Sequence, residues 1–278
     1  MCRWLAYSGR PIFMDALLFQ PHNSLIHQSL LARHAAVATN GDGFGLGWYG
    51  NRPQPGLFRD VRPAWNDENL RSLSEQIEAR LFFAHVRAST GPQTARANCH
   101  PFRFNQWLFM HNGKIGDYAR VRRSLEFALA EPLYGCRLGT TDSELLFLLA
   151  VQEGLEQDPI GALARALGRV EQEMARVGAA EPLRLTAALS DGQRLIAFRY
   201  SSDGQSPSLF HAEGAAVTVQ DGCCHFARGA GSVLVLSEPL DTVEGCWHAV
   251  PEGQVLTVDQ GVVSLAAFGP LPPQALAA

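Results

Sequence analysis

The order in which the hydrophobic period changes along the chain limits its architecture more than any other feature. A short apolar strand over residues 3–8 is followed by a brief helical turn, Asp15 to Phe19, and a glycine-rich strand, Gly41 to Trp48. Asn66 or Asp67 then caps a helix whose apolar positions Leu70, Leu73 and Ile77 recur at three and four. Two runs, Leu81 to Arg87 and Trp107 to His111, are apolar on both faces and read as buried strands. Helical patterns succeed them: Tyr118, Val121, Leu125 and Leu129; then Leu145 to Val151; then a long stripe of Ile160, Leu163, Leu167, Val170, Met174 and Val177 opened by Pro159. From Leu183 the pattern returns to strands, with Asp191-Gly192 as a hairpin turn and further strands at 208–211, 216–219, 232–236 and 254–258. Strands first, helices in the middle and strands last predict helices packed on antiparallel sheets in one α+β domain. The domain is expected over 2–260, with 261–278 as a C-terminal tail.

Composition excludes several classes. The chain has 278 residues, enough for a real core, and a net charge of −4 gives it no basic footprint for nucleic acid. No apolar run is long enough to span a bilayer, and no signal peptide is legible, so a cytoplasmic protein is expected. Cys2, Cys99, Cys136, Cys223, Cys224 and Cys246 lack the paired spacing of a structural zinc site, and His22, His27 and His34 lack metal-ligand spacing. No metal or cofactor is expected. The adjacent Cys223-Cys224-His225 reads as incidental.

Chemistry gathers at a few other points. Cys2 follows the initiator Met, which is trimmed before small residues; trimming would put a free α-amine and a thiol on one residue. That is a nucleophile carrying its own base, although a cysteine here also packs as a small hydrophobe. Alternating glycines from Gly41 to Gly47 suggest close backbone approach or a small-side-chain face against a pocket. Arg87, at the end of an apolar strand, either pairs with a carboxylate of the protein or awaits a carboxylate ligand. Asn112-Gly113 ends a strand but is followed by no alternating pattern. A tight turn there would present the Asn side chain and the Gly N–H together, the two donors of an oxyanion hole. Asp142 reads first as a helix cap.

Taken in order behind Cys2, these stretches resemble the class II glutamine amidotransferases, over roughly Cys2 to Leu256. The resemblance implies the four-layer αββα sandwich of the N-terminal nucleophile hydrolases. It implies Cys2 as nucleophile and, from His85-Val86-Arg87-Ala88-Ser89-Thr90, Arg87 as the clamp of a glutamine α-carboxylate, with Thr90 and His85 in support. From His111-Asn112-Gly113 it implies an oxyanion hole of Asn112 and Gly113, with His111 beside the substrate. From Thr141-Asp142-Ser143-Glu144 it implies Asp142 as the ligand of the substrate α-amine. Where family members that feed a synthase carry a Trp after the clamp arginine, this chain has Ala88, and no synthase domain is expected. The stand-alone subgroup with an Asp-Gly-x-Gly-x-x-Trp stretch and a His-Pro-Phe turn is the nearer likeness, and includes the ergothioneine-pathway γ-glutamyl amidohydrolase. The expected substrate is glutamine or a γ-glutamyl amide. A glutaminase subunit serving a separate synthase partner, a non-catalytic member and a homodimer all stay open. A same-fold hydrolase for penicillin-like amides is disfavoured by Arg87 and Asp142, since such substrates lack the zwitterionic head.

Overall fold

The computed structural model describes residues 2–31, 39–89 and 93–274. Its strands are β1 (Arg3–Phe13), β2 (Phe44–Trp48), β3 (Gly56–Asp60), β4 (Glu78–Val86), β5 (Phe102–Phe104), β6 (Trp107–Lys114), β7 (Arg184–Ser190) and β8 (Leu195–Ser201). The remaining strands are β9 (Phe210–Gly214), β10 (Val217–Gln220), β11 (Cys223–Phe226), β12 (Ser232–Leu236), β13 (His248–Ala249), β14 (Gln254–Asp259) and β15 (Val262–Ala267). The helices are α1 (Asp15–Leu18), α2 (Leu25–Leu30), α3 (Glu68–Gln76), α4 (Tyr118–Phe127), α5 (Glu131–Tyr134), α6 (Asp142–Gln152) and α7 (Pro159–Arg176).

A seven-stranded sheet in the order β13-β9-β12-β1-β4-β2-β3 faces a six-stranded sheet in the order β15-β14-β8-β7-β6-β5. Pairing is antiparallel throughout both. The side chains sort into three cores. Trp4, Ala6 and Phe83 of the first sheet meet Leu108, Met110 and Ala188 of the second between the sheets. The outer face of the first sheet (Leu5, Tyr7, Phe82) packs on Leu17, Leu25 and Leu70 of the short helices. The outer face of the second (Phe109, Ala187, Phe198) packs on Leu125, Leu146 and Leu167 of α4, α6 and α7. Helix, sheet, sheet, helix: this is the αββα sandwich. Central strands buried on both faces explain why β4 and β6 read as unbroken apolar runs.

Local signals hold where expected. Asp67 caps α3 by accepting from Leu70 N at 2.7 Å, and Asp158 caps α7 from Gly161 N at 3.0 Å with Pro159 in the first turn. The boundary at 260 is different. Val262–Ala267 adds a strand to the second sheet, and the following residues lie along α7. There Leu271 N donates to Ala164 O (2.9 Å), Arg169 Nη2 to Gln274 O (2.8 Å) and Gln274 N to the buried Glu153 Oε2 (2.9 Å). Gly168 makes the approach feasible, because a Cβ there would collide with the Leu271 carbonyl. The described part of the expected tail, 261–274, therefore supplies an edge strand of the second sheet and a segment laid along α7.

Candidate active site

The two sheets bring their chemistry-bearing ends together. Arg3 pairs with Val86 across β1 and β4, so Cys2 lies beside the start of the segment that carries Arg87. On the facing sheet β6 carries His111, Asn112 and Gly113, and the first turn of α6 closes the same end. One cavity is lined by Cys2, Arg87 to Ser89, His100, His111 to Gly113 and Thr141 to Ser143.

Cys2 Sγ donates to Ala88 O at 3.6 Å, and the Cys2 carbonyl accepts from Arg3 Nη1 at 3.1 Å. Burial pushes the thiol up from its ordinary value, while the positive charges of Arg87 and Arg3 pull it back. Arg87 is 3% exposed and built into the glycine-rich segment. Its Nη1 donates to Asp42 O (3.2 Å) and its Nη2 to Ser89 Oγ (3.1 Å), while Ser89 N donates to the Asp42 carboxylate at 2.7 Å. Backbone bonds Asp42 N to Arg87 O (3.0 Å) and Arg87 N to Gly43 O (2.8 Å) complete the tie.

The glycines serve close approach. A Cβ on Gly45 would collide with His100 O, and one on Gly47 would lie 2.7 Å from Pro101 Cγ. The 99–101 turn thus rests directly on β2, which sets His100 into the cavity wall. Behind it His85 stacks on the His100 ring with centroids 4.2 Å apart, and His85 Nε2 reaches His111 O at 3.4 Å. His111 is itself fixed by Ser143 Oγ at 2.8 Å and Arg184 O at 3.3 Å. His85 is 1% exposed and backs the wall rather than lining it.

Burial holds these three imidazoles neutral: His85 is lowered to about 3, His100 well below its ordinary value, and His111 is lowered too. In the unfolded chain they regain values near ~6.5 and bind protons that the fold excludes. Stability is therefore present above about pH 6.5 and falls as pH drops toward the folded values. Urea melts at about pH 7 and 5.5, a window in which few carboxylates titrate, should show the midpoint fall at the lower pH. A constant midpoint would contradict the neutral-histidine reading.

Asn112-Gly113 does not form a turn. Both residues sit inside β6, paired with Thr186 and Leu185 of β7. Gly113 is required because a Cβ would collide with the Arg184 carbonyl across the ladder. Asn112 is 1% exposed, and its Nδ2 has no hydrogen-bond partner among the described residues. A buried amide donor with no partner costs the fold free energy and is available to a ligand.

Asp142 is not the cap of α6. Thr141 is, accepting from Glu144 N at 3.2 Å. Asp142 occupies the first helical position, where Oδ2 accepts from Ile115 N (2.9 Å) and Oδ1 from Ser143 N (2.8 Å). Oδ1 also accepts from Ser143 Oγ (3.4 Å), whereas Oδ2, with its one N–H donor, keeps a lone pair for another. Glu144 reaches back to accept from Leu138 N (3.0 Å) and Gly139 N (2.7 Å), holding the segment before Thr141. Of the other expected residues, Thr90 lies outside the described residues, as do Met1 and His34. Sequence reasoning did not single out Arg3, Ser89 or Ser143, and met His100 only as part of the His-Pro-Phe turn.

The family model for class II glutamine amidotransferases matches residues 20–276. The chain belongs to that enzyme family. It is 33% identical to the probable glutamine amidotransferase DUG3 of Saccharomyces cerevisiae, over 95% of this chain and 84% of that one. It is 28% identical to the gamma-glutamyl-hercynylcysteine sulfoxide hydrolase of Mycolicibacterium smegmatis, over 93% of this chain and 96% of that one. Among solved structures, a glutamine aminotransferase class-II domain protein from Silicibacter pomeroyi superposes with a TM-score of 0.73 at 38% identity, over 97% of this chain and 99% of that one. The fold of this amidotransferase is the N-terminal nucleophile sandwich that the resemblance implied. Among its described residues no helix is long and apolar enough to cross a membrane.

Proposed function

We propose that this amidotransferase hydrolyses the γ-amide of glutamine or of a γ-glutamyl compound through a thioester on Cys2. One observation carries the reading: Cys2, Arg87, Asn112-Gly113 and Asp142 line a single cavity although they come from four separate segments. After loss of Met1, the α-amine of Cys2 takes the thiol proton and the sulfur adds to the γ-carbonyl. The carbonyl oxygen gains the negative charge, and Asn112 Nδ2 with the Gly113 N–H is aimed to hold it. The amine leaves with the proton, and water then attacks the γ-glutamyl thioester, freeing glutamate and the thiol. Arg87 clamps the α-carboxylate, and Asp142 accepts from the α-ammonium with the remaining lone pair of its Oδ2. His111, fixed by Ser143, and the His85–His100 stack support the wall between those two ends.

A free zwitterionic head is then the shared requirement, and the group on the γ-nitrogen is secondary. The M. smegmatis relative's name, a hydrolase of a γ-glutamyl conjugate, accords with that. A panel of glutamine, glutathione and γ-glutamyl anilide should release glutamate without a partner protein, and N-acetylglutamine should not. Release from N-acetylglutamine at a similar rate would sink the head-recognition assignment. Release that appears only when a synthase is added would favour the glutaminase-subunit reading.

A further inference from the structure

A buried ion pair sits one residue from the proposed nucleophile. Arg3 and Glu238 are both 0% exposed, with Arg3 Nε 3.4 Å from Glu238 Oε2. Glu238 is held in turn: Asn23 Nδ2 donates to its Oε1 at 3.1 Å and to Pro239 O at 2.6 Å, and Gln28 Nε2 donates to its main-chain oxygen at 3.2 Å. The segment is also stitched to β1, Trp4 N donating to Ser237 Oγ (3.2 Å) and Ser237 N to Trp4 O (3.0 Å).

Such a pair is a poor device for stability. Desolvating two charges offsets most of their attraction, and apolar replacements of similar volume often do as well or better. Its presence is better explained by what else the guanidinium touches, which is the Cys2 carbonyl at 3.1 Å. Once Met1 is gone, Cys2 is the chain end, and chain ends fray unless tied down. Arg3 supplies a tie on the carbonyl side, and the Sγ contact to Ala88 O supplies one on the thiol side. The guanidinium is also a fixed positive charge beside a residue that must present a thiolate and a neutral amine. It favours the first and, by repelling an ammonium, the second.

We propose that Arg3, held by Glu238, is a positioning residue that fixes the terminal Cys2 and tunes its amine–thiol pair for attack. The proposal rests on the hydrolytic reading of the site for its kinetic arm, but its chemical arm does not need a substrate. Removing Arg3 alone would strand a buried carboxylate, so the balanced variant is Arg3→Gln/Glu238→Gln, with Arg3→Lys beside it to keep the charge without the planar fork. Cys2 modification by iodoacetamide, followed as a function of pH by peptide mass in Met1-free protein, reads the thiolate directly. The double variant should move that midpoint up by about half a pH unit or more. It should also lower kcat for glutamate release at least about tenfold with KM within about threefold, since Arg87 and Asp142 still hold the head. Arg3→Lys should keep the midpoint and lose about threefold or more in kcat. A folded double variant with wild-type midpoint and kcat overturns the proposal, and so does wild-type kcat in Arg3→Lys if the double variant does not fold. Absence of glutamate release from the parent protein would instead count against the hydrolytic reading, leaving the alkylation comparison to decide on Arg3.

Discussion

Cys2→Ala protein is expected to release glutamate from no γ-glutamyl substrate above background, a loss of more than about 10⁴-fold in kcat. The remaining residues of the site could still bind and orient the head, but nothing at that end of β1 would attack the γ-carbonyl. Cys2→Ser should fail almost as completely. A hydroxyl at the same place is a far weaker acid than a thiol, and a primary amine near pH 7 withdraws its proton poorly. Neither variant should unfold the protein, because the thiol's described contact is a single bond to Ala88 O at 3.6 Å. Thermal melting within about 2 °C of the parent would separate lost chemistry from lost structure. Intact-protein mass supplies the companion result: active protein should lack Met1. Full activity in protein that retains Met1 quantitatively would remove the α-amine from the mechanism. Wild-type turnover in Cys2→Ala would remove the nucleophile itself.

Much of this molecule was legible because the controlling interactions are local. The α7 stripe, the Asp67 cap and the apolar runs of β4 and β6 are set by neighbours three or four residues away or by burial on both faces. That Cys2, Arg87 and Asn112-Gly113 line one cavity fits a related signal: a thiol at position two, a guanidinium ending an apolar strand and an unneeded Asn-Gly are each odd locally. What they pack against was not legible. Asn112-Gly113 looked like a turn because its need for glycine comes from the Arg184 carbonyl on β7, far away in sequence. The capping role fell to Thr141 because Asp142 is turned toward Ile115 N, a contact between α6 and the end of β6. The stretch from Val262 looked like a tail because β15 is an exposed edge strand and its continuation is held by single bonds to α7 and Glu153. Arg3 gave no signal at all, since its partner Glu238 stands near the other end of the chain. The glycines of 43–47 were readable as close approach but silent on the approaching group, which is the 99–101 turn.

Asn112→Ala is expected to separate stability from activity in one substitution. Its Nδ2 is buried without a partner among the described residues, so removing it relieves an unmade hydrogen bond. The backbone of residue 112 keeps its pairing with Thr186, and Thr186 Oγ1 still donates to the 112 carbonyl at 3.3 Å. The folded state should therefore lose little and can gain. In the transition state of the proposed mechanism the same amide faces an oxygen that has become an anion, where a preorganised donor is worth about 3–4 kcal/mol. Its loss should lower kcat by roughly 10²–10³-fold while KM changes by less than about threefold, because in the proposed mechanism the zwitterionic head is held by Arg87 and Asp142 rather than by the oxyanion donors. Unchanged or raised thermal stability together with that kcat loss would be the signature of a group kept for chemistry at the expense of the fold. A variant with parental kcat would take Asn112 out of the oxyanion hole and leave the Gly113 N–H to act with a donor other than the Asn112 amide.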